Sequence, residues 1–298
     1  MCALRFSDLE GVREYLEPRT TAEACSLLSQ YGEKAKVIAG GTGLTGRIKR
    51  GRKSPEVLIN LMAIPNLDDI SPIGEQGLKI GALATLFNLE RSPTVRGRYS
   101  VISKAIQGIL SEFIPERWAY YMTTIGGTLC ATASSSHIAP ALIILGSKAK
   151  IQGPKGWKTI PLEEFFTGER QTILQNNEIL TEIEVQNPPP DAGLAYIRSE
   201  AAEDTPAASV AALLKLDPGH TTVEEVKIAL GAVAPTPIRA HSAEEVIKGK
   251  GIEERILRKG ARVAGGEAAH GQDVVKKLVG EALLQAVEDA VGDFALGY

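Results

Sequence analysis

With 298 residues, 44% hydrophobic and 23% charged, the chain has the balance of a globular protein, and its length exceeds what one compact core usually organises, so two domains are expected. A formal charge of -3 and a pI near 5.9 exclude a general nucleic-acid or membrane-surface binder, because both partners are anionic. Cys2, Cys25 and Cys130 are too scattered to form a ligand set, which points to a reducing compartment and to no metal or iron–sulfur cluster on this chain.

In chain order, the N-terminus "MCALRFSDLEGVREY" is charged early and lacks a secretory apolar core, so a cytoplasmic protein is expected. "TTAEACSLLSQYG" predicts a helix with Ala24, Leu27, Leu28 and Tyr31 on one face, capped by Thr20 or Thr21 and stopped by Gly32. "AKVIA" reads as a short buried strand running into glycines, "PEVLINL" as a second strand and "LKIGALAT" as a third. "YSVISKAIQGILSEF" has the helical spacing of Ile102, Ala105, Ile106, Ile109 and Leu110, and "SHIAPALIILG" is a further helix, too short and too proline-marked to span a bilayer. Strands and helices mix without strict alternation, so α+β is the expected class. Three consecutive prolines in "VQNPPPDAG" cannot continue a helix or an inner strand and place the domain boundary there, dividing the chain into 1–187 and 191–298. Beyond them, "LAYIRS", "AASVAALLKLD" and "VEEVKIALGAVA" predict strands, the last alternating at Val226, Ile228 and Leu230. The tail from His241 is helical in pattern, so the second domain reads as a few antiparallel strands packed by helices.

Two glycine segments carry the chemistry. Gly40, Gly41 and Gly43 follow a strand, where glycine lets backbone amides approach a ligand, and consecutive N–H groups ahead of a helix N-terminus make an anion site. The spacing is neither G-x-G-x-x-G nor a P-loop, so this segment alone reads first as a structural turn. "TTIGGTLCATASSSHIAP" repeats the motif at Gly126 and Gly127. Two such loops in one domain suit a diphosphate held by N–H groups from both sides; the alternative is two unrelated tight turns.

The order "VIAGGTGL", "PEVLINL", "LKIGALAT", "TTIGGTL…SSSHIAPALIILGSKAKI", "PLEEFFTG" and "NEILTEIEV", continuing into "IALGAVAPTPIRAHSAEEVIKG", resembles the FAD-binding medium subunit of molybdenum hydroxylases over nearly the whole chain. The resemblance implies a PCMH-type FAD-binding domain of two α/β lobes followed by a smaller α+β C-terminal domain. It also implies an electron-transfer role, with molybdopterin on a large partner subunit, [2Fe-2S] clusters on a small one, and NAD or a quinone as acceptor. Residue by residue, it implies that Ala39, Gly40, Gly41, Thr42, Gly43 and Leu44 wrap the FAD diphosphate, with Thr124, Ile125, Gly126, Gly127 and Thr128 on the second side. Ser134 would face the diphosphate or ribose, Ile179 and Leu180 would shield the flavin ring, and Arg198 would stand where the family often has a lysine near the flavin. Several positions depart from the family pattern. Gly43 replaces an acid, Tyr120 and Tyr121 replace Arg-Asn, Thr128 replaces Asn, and His137 replaces the acid that often bonds the ribose. These departures keep open a flavin-free scaffold subunit, and a stand-alone flavin oxidase of the same class is a further alternative. No catalytic side chain is expected, because the cofactor does the redox chemistry.

The remaining candidates have bland readings. His220, His241 and His270 suggest neither a metal set nor a triad, and Ser134–Ser136 lack a nucleophile-elbow context. The basic run "GRIKRGRK" is either a solvated face or a complement to the diphosphate or to an acidic partner. Trp118, Tyr120 and Tyr121 either pack a core or offer a face to an aromatic ligand ring.

Overall fold

The computed structural model describes residues 11–44, 54–113, 117–131, 137–200 and 207–292. The basic run from Arg47 to Lys53 and Ser134 lie outside the described residues, as do the side chains of Leu110, Arg117 and Trp118.

The first lobe is a parallel three-stranded sheet, β1 (Glu14–Leu16), β3 (Val57–Asn60) and β2 (Ala35–Ile38), in the order β1-β3-β2. Parallel strands of one sheet need crossovers, and α1 (Thr21–Tyr31) supplies the one from β1 to β2, which flank β3. Its ends are set by local chemistry. Thr20 Oγ1 accepts the Glu23 amide at 3.1 Å, and Gly32, at φ 55°, turns the chain out while its amide donates to the Leu28 carbonyl. The buried face is Ala24, Cys25 and Leu28, with Leu27 and Tyr31 packed at its rim.

Cys25 Sγ lies 3.4 Å from the Gln152 carbonyl, which ties α1 to the second lobe. Burial first, and then the Glu178 carboxylate, pushes the Cys25 thiol from 9.0 up to about 11. The folded state thus favours the neutral thiol. That contribution to stability is complete below pH 9 and is lost as pH rises through about 11. Since the thiolate is the nucleophile, iodoacetamide at pH 8 is expected to leave Cys25 unlabelled in the folded protein and to label it in urea, read by peptide mass. Labelling of the folded protein at the rate of a free thiol would contradict this environment.

The second lobe is an antiparallel five-stranded sheet in the order β4-β5-β10-β6-β7: β4 (Ile70–Ile73), β5 (Gly77–Gly81), β10 (Ile179–Gln186), β6 (Lys148–Gly153) and β7 (Gly156–Pro161). Pro72 sits in β4, an edge strand, where a missing amide costs no ladder bond. Between β5 and β6 the chain forms α2 (Leu86–Arg91), α3 (Pro93–Gly97), α4 (Ser100–Phe113), α5 (Arg117–Met122), α6 (Ile125–Ala131) and α7 (Ile138–Ile144). Ile102, Ala105, Ile106 and Ile109 of α4 and the wholly buried α7 pack with Leu78, Ile80, Ile151, Ile183 and Val185 of the sheet in the main core. A two-stranded ribbon, β8 (Phe166–Gly168) with β9 (Gln171–Thr172), precedes β10.

The C-terminal sheet is an antiparallel meander of β11 (Ala192–Arg198), β12 (Ser209–Leu216), β13 (Val223–Gly231) and β14 (Ile238–Arg239). The alternation expected in β13 divides two cores. Val226, Ile228 and Leu230 face α8 (His241–Ile247), α9 (Glu254–Glu267) and α10 (Gln272–Val291). Ala229 turns the other way, with Leu194, Tyr196, Ala211 and Leu213, into the main core of the preceding lobes. The interleaved small residues are therefore a docking face for α4 and α7. On the helical side α10 lies close on β11, and Leu194 N donates to Asp289 Oδ2 at 2.8 Å.

Candidate functional site

β2 ends at Ile38, and the chain turns through Ala39 and Gly40 into Gly41, whose φ of 77° lies in the left-handed region, before a helical turn begins at Thr42, Gly43 and Leu44. A left-handed glycine directly ahead of a helical start re-aims successive N–H groups toward one point, the conformation that binds anionic oxygens.

The second glycine pair is built differently. The expectation of an open loop is corrected here: Gly126 and Gly127 lie in the first turn of α6. Two contacts override the low helical preference of glycine. Thr124, 2% exposed, accepts the Gly127 amide on its Oγ1 at 3.1 Å, as an N-cap does. The helix start is also laid against the segment after β5: Ile125 N donates to the Ala84 carbonyl and Gly126 N to the Ala82 carbonyl, each at 2.9 Å. Gly126 is glycine because a Cβ there would stand 2.7 Å from the Ala82 oxygen. Thr128 N donates to the Thr124 carbonyl at 2.9 Å, and Thr128 Oγ1 donates to the same oxygen. The amides of residues 125–128 thus all have acceptors inside the chain, so this segment forms a wall.

The two segments do converge, as the repeated motif suggested. A Cβ on Gly40 would stand 1.5 Å from the Met122 carbonyl oxygen, so the first segment lies directly on the end of α5. Thr123 Oγ1 donates to Thr42 Oγ1 at 3.1 Å, and a Cβ on Gly43 would stand 3.5 Å from the Ala131 Cβ at the end of α6. Thr123 is the residue that sequence reasoning passed over. Its signal was the first hydroxyl in "MTTIGG", directly before the buried cap.

The other expected positions are carried by other elements. Leu180 is 5% exposed inside the main core, opposite Ile151, and Ile179 faces the first lobe. His137, 1% exposed, immediately precedes α7 and makes no side-chain cap bond to it. Arg198 ends β11 opposite Ser209, which pairs in turn with Gly231, against Pro140 of α7. His137 and Arg198 thus both belong to the junction between the C-terminal sheet and the helices of the second lobe. Arg198 lays its stem over Gly108 of α4. Beside α5, the Phe87 ring meets Tyr120 at 5.4 Å and Tyr121 at 4.5 Å. Tyr120 packs on the main core and its hydroxyl donates to Glu90 at 3.3 Å. Burial, with the Glu90 charge, pushes its phenol up to about 12. Tyr121 remains 44% exposed.

The other histidines have structural settings. His220 occupies a turn at φ 53°, His270 Nε2 lies 3.1 Å from the Ala232 carbonyl, and His241 Nε2 lies 3.0 Å from Glu163 across the junction. Among the described residues, no group of three or more His, Cys, Asp or Glu side chains could hold a metal ion, and no helix is long and apolar enough to cross a membrane. A cleft of about 390 Å³ between the end of α1 and residues 174–177, and one of about 260 Å³ beside Arg239 and Glu244, are lined by none of the glycine-segment residues.

Residues 7–188 match the family described as the FAD binding domain in molybdopterin dehydrogenase, and residues 196–289 match the CO dehydrogenase flavoprotein C-terminal domain. The chain is 32% identical over 252 residues to the carbon monoxide dehydrogenase medium chain of Hydrogenophaga pseudoflava, covering 84% of this chain and 85% of that one. It is 29% identical over 292 residues to the medium chain of Afipia carboxidovorans, covering 95% and 98%. Its fold superposes on the structure of the Hydrogenophaga pseudoflava carbon monoxide dehydrogenase lacking the Mo-pyranopterin moiety of the molybdenum cofactor with a TM-score of 0.84, at 29% identity over 92% of this chain and 97% of that one.

Proposed function

The chain belongs to the family of FAD-binding domains of molybdopterin dehydrogenases, and on that premise we propose that it is the flavin-carrying, electron-transferring subunit of a multi-chain oxidoreductase. The observation that carries the proposal is the left-handed Gly41 turn, opening into a helical start and backed by the second glycine segment.

That geometry fits a diphosphate. Ala39, Gly40, Gly41, Thr42, Gly43 and Leu44 supply backbone from one side. Thr124, Ile125, Gly126, Gly127 and Thr128, with the amides of 125–128 engaged, are assigned to the opposite wall, from whose flanks Met122, Thr123 and Ala131 meet that backbone. Gly43 in place of an acid, and Thr128 in place of Asn, leave this support intact, because the turn needs no side chain at 43 and Thr128 bonds the Thr124 carbonyl at the start of its own helix. His137 and Arg198 are assigned to the junction side of the cofactor, Leu180 to the flank of its ring, and Ser134 to the ribose or diphosphate. Bound FAD would supply electron exchange, one or two electrons at a time, which no side chain here provides. The protein's part is to bind, orient and shield; no residue need move a proton.

The reading extends to an assembly: a molybdopterin-binding large subunit that oxidises the substrate, a small subunit with [2Fe-2S] clusters, and NAD or a quinone as acceptor, in the cytoplasm. It also divides the chain at its prolines, 1–187 for the flavin and 191–298 closing over the helices of the second lobe.

The test is the visible absorption spectrum of the purified chain, with mass identification of whatever acid precipitation releases. Flavin bands and released FAD are the expected result. A chain that stays colourless after incubation with FAD, yet assembles with partners, would replace this reading with a flavin-free scaffold. Oxidation of a small alcohol by the isolated chain would replace it with a stand-alone flavin oxidase.

A further inference from the structure

We infer that Thr123 is a positioning residue that clasps the first glycine segment to the second, so that the diphosphate-binding turn is held by a side chain from outside it; this rests on the FAD reading above. Thr123 Oγ1 donates toward two acceptors, the Ala119 carbonyl at 2.7 Å and Thr42 Oγ1 at 3.1 Å. The Thr123 backbone is itself held from both sides. Its N–H donates to the Ala119 carbonyl at 2.8 Å, and its carbonyl accepts the Leu86 amide at 2.9 Å. The hydroxyl therefore stands on a backbone hydrogen-bonded on both sides. Thr42 opens a helical turn directly after the left-handed Gly41, and a strand–glycine sequence by itself leaves the swing of such a turn to its tertiary contacts. Contact at Gly40 limits how close the two segments come, and the bond from Thr123 restrains the rotation of the turn about that contact. A cradle of backbone amides depends on such orientation, because each N–H must point at its oxygen without rearrangement.

The experiment is a double-mutant cycle of Thr42→Val and Thr123→Val with Thr123→Ser as the conservative variant, read by FAD titration and by amide hydrogen exchange of residues 39–44. Valine keeps the branched shape and removes the hydroxyl; serine restores it. Thr123→Val should weaken FAD binding about tenfold, the equivalent of one net hydrogen bond. It should also speed exchange in residues 39–44 by a similar factor, and Thr123→Ser should recover both. The double variant should be little worse than either single one, since both remove the same bond. Unchanged exchange in Thr123→Val, or losses that multiply independently in the double variant, would overturn the clasp. Wild-type protein that binds no FAD while Thr123→Val still loosens residues 39–44 would overturn the FAD reading and leave the clasp standing.

Discussion

Gly40→Ala should strip the protein of FAD. The added methyl would stand 1.5 Å from the Met122 carbonyl oxygen and 2.6 Å from its carbon, so the obstruction is backbone and cannot rotate aside. That backbone is also braced, because the next amide donates to Ala119 and the next carbonyl accepts Leu86 N. The glycine segment must therefore retreat. Retreat separates Thr42 from Thr123 and turns the amides away from the proposed diphosphate position. A loss of at least about 100-fold in FAD affinity is expected, roughly 2.7 kcal/mol. Overpacking of about 1–3 kcal/mol should lower the melting temperature by only a few degrees, because the main core lies elsewhere. Titration followed by flavin fluorescence, beside a thermal melt, separates the two effects. Near-normal FAD binding by this variant would mean that the two segments do not form one site.

Gly193→Ala should instead unseat the C-terminal helix. Its Cβ would fall 1.8 Å from the Ala286 carbonyl oxygen and 2.6 Å from the Ala290 amide nitrogen, where α10 lies flat on β11. The helix cannot lift locally, because Val275, Leu278, Val279, Ala282, Leu283, Ala286 and Ala290 along its length are all buried in one cluster. Displacing it also pulls Asp289 from the Leu194 amide, leaving a strand N–H without its acceptor. A loss of about 3 kcal/mol or more is expected, seen as a lower urea midpoint or as failure to accumulate soluble protein. Gly266→Ala is the matched comparison, since nothing lies within 4 Å of its added methyl. That substitution should hold or slightly raise the midpoint, by about 0.5 kcal/mol. Equal midpoints for the two variants would contradict the close packing of α10.

Where local chemistry decides, the sequence was legible. Thr20 and Gly32 bound α1, α4 shows the burial its spacing foretold, and the three strands after the prolines form as expected. β1 and β4 were not legible: one is three residues long and the other carries a proline, and both are strands only because a partner from elsewhere in the chain pairs with them. At the site, the first glycine turn was readable because its left-handed glycine is a local necessity. The second was misread as a loop because "IGGT" carries the same letters; the buried Thr124 cap and the Ala82 and Ala84 carbonyls make it a helix.

The amino-acid sequence by itself determined the α+β class, the ends of the first helix, the strand set after the prolines and the family to which the chain belongs, because caps, periodicity and motif order act within a few residues. Tertiary structure alone decided that Gly40 rests on Met122, that Thr42 meets Thr123 from 81 residues away, and that one face of the C-terminal sheet is buried against α4 and α7. Such contacts follow from close packing and from the need of every buried donor for an acceptor. Those conditions bind distant parts of the chain only once they share one interior.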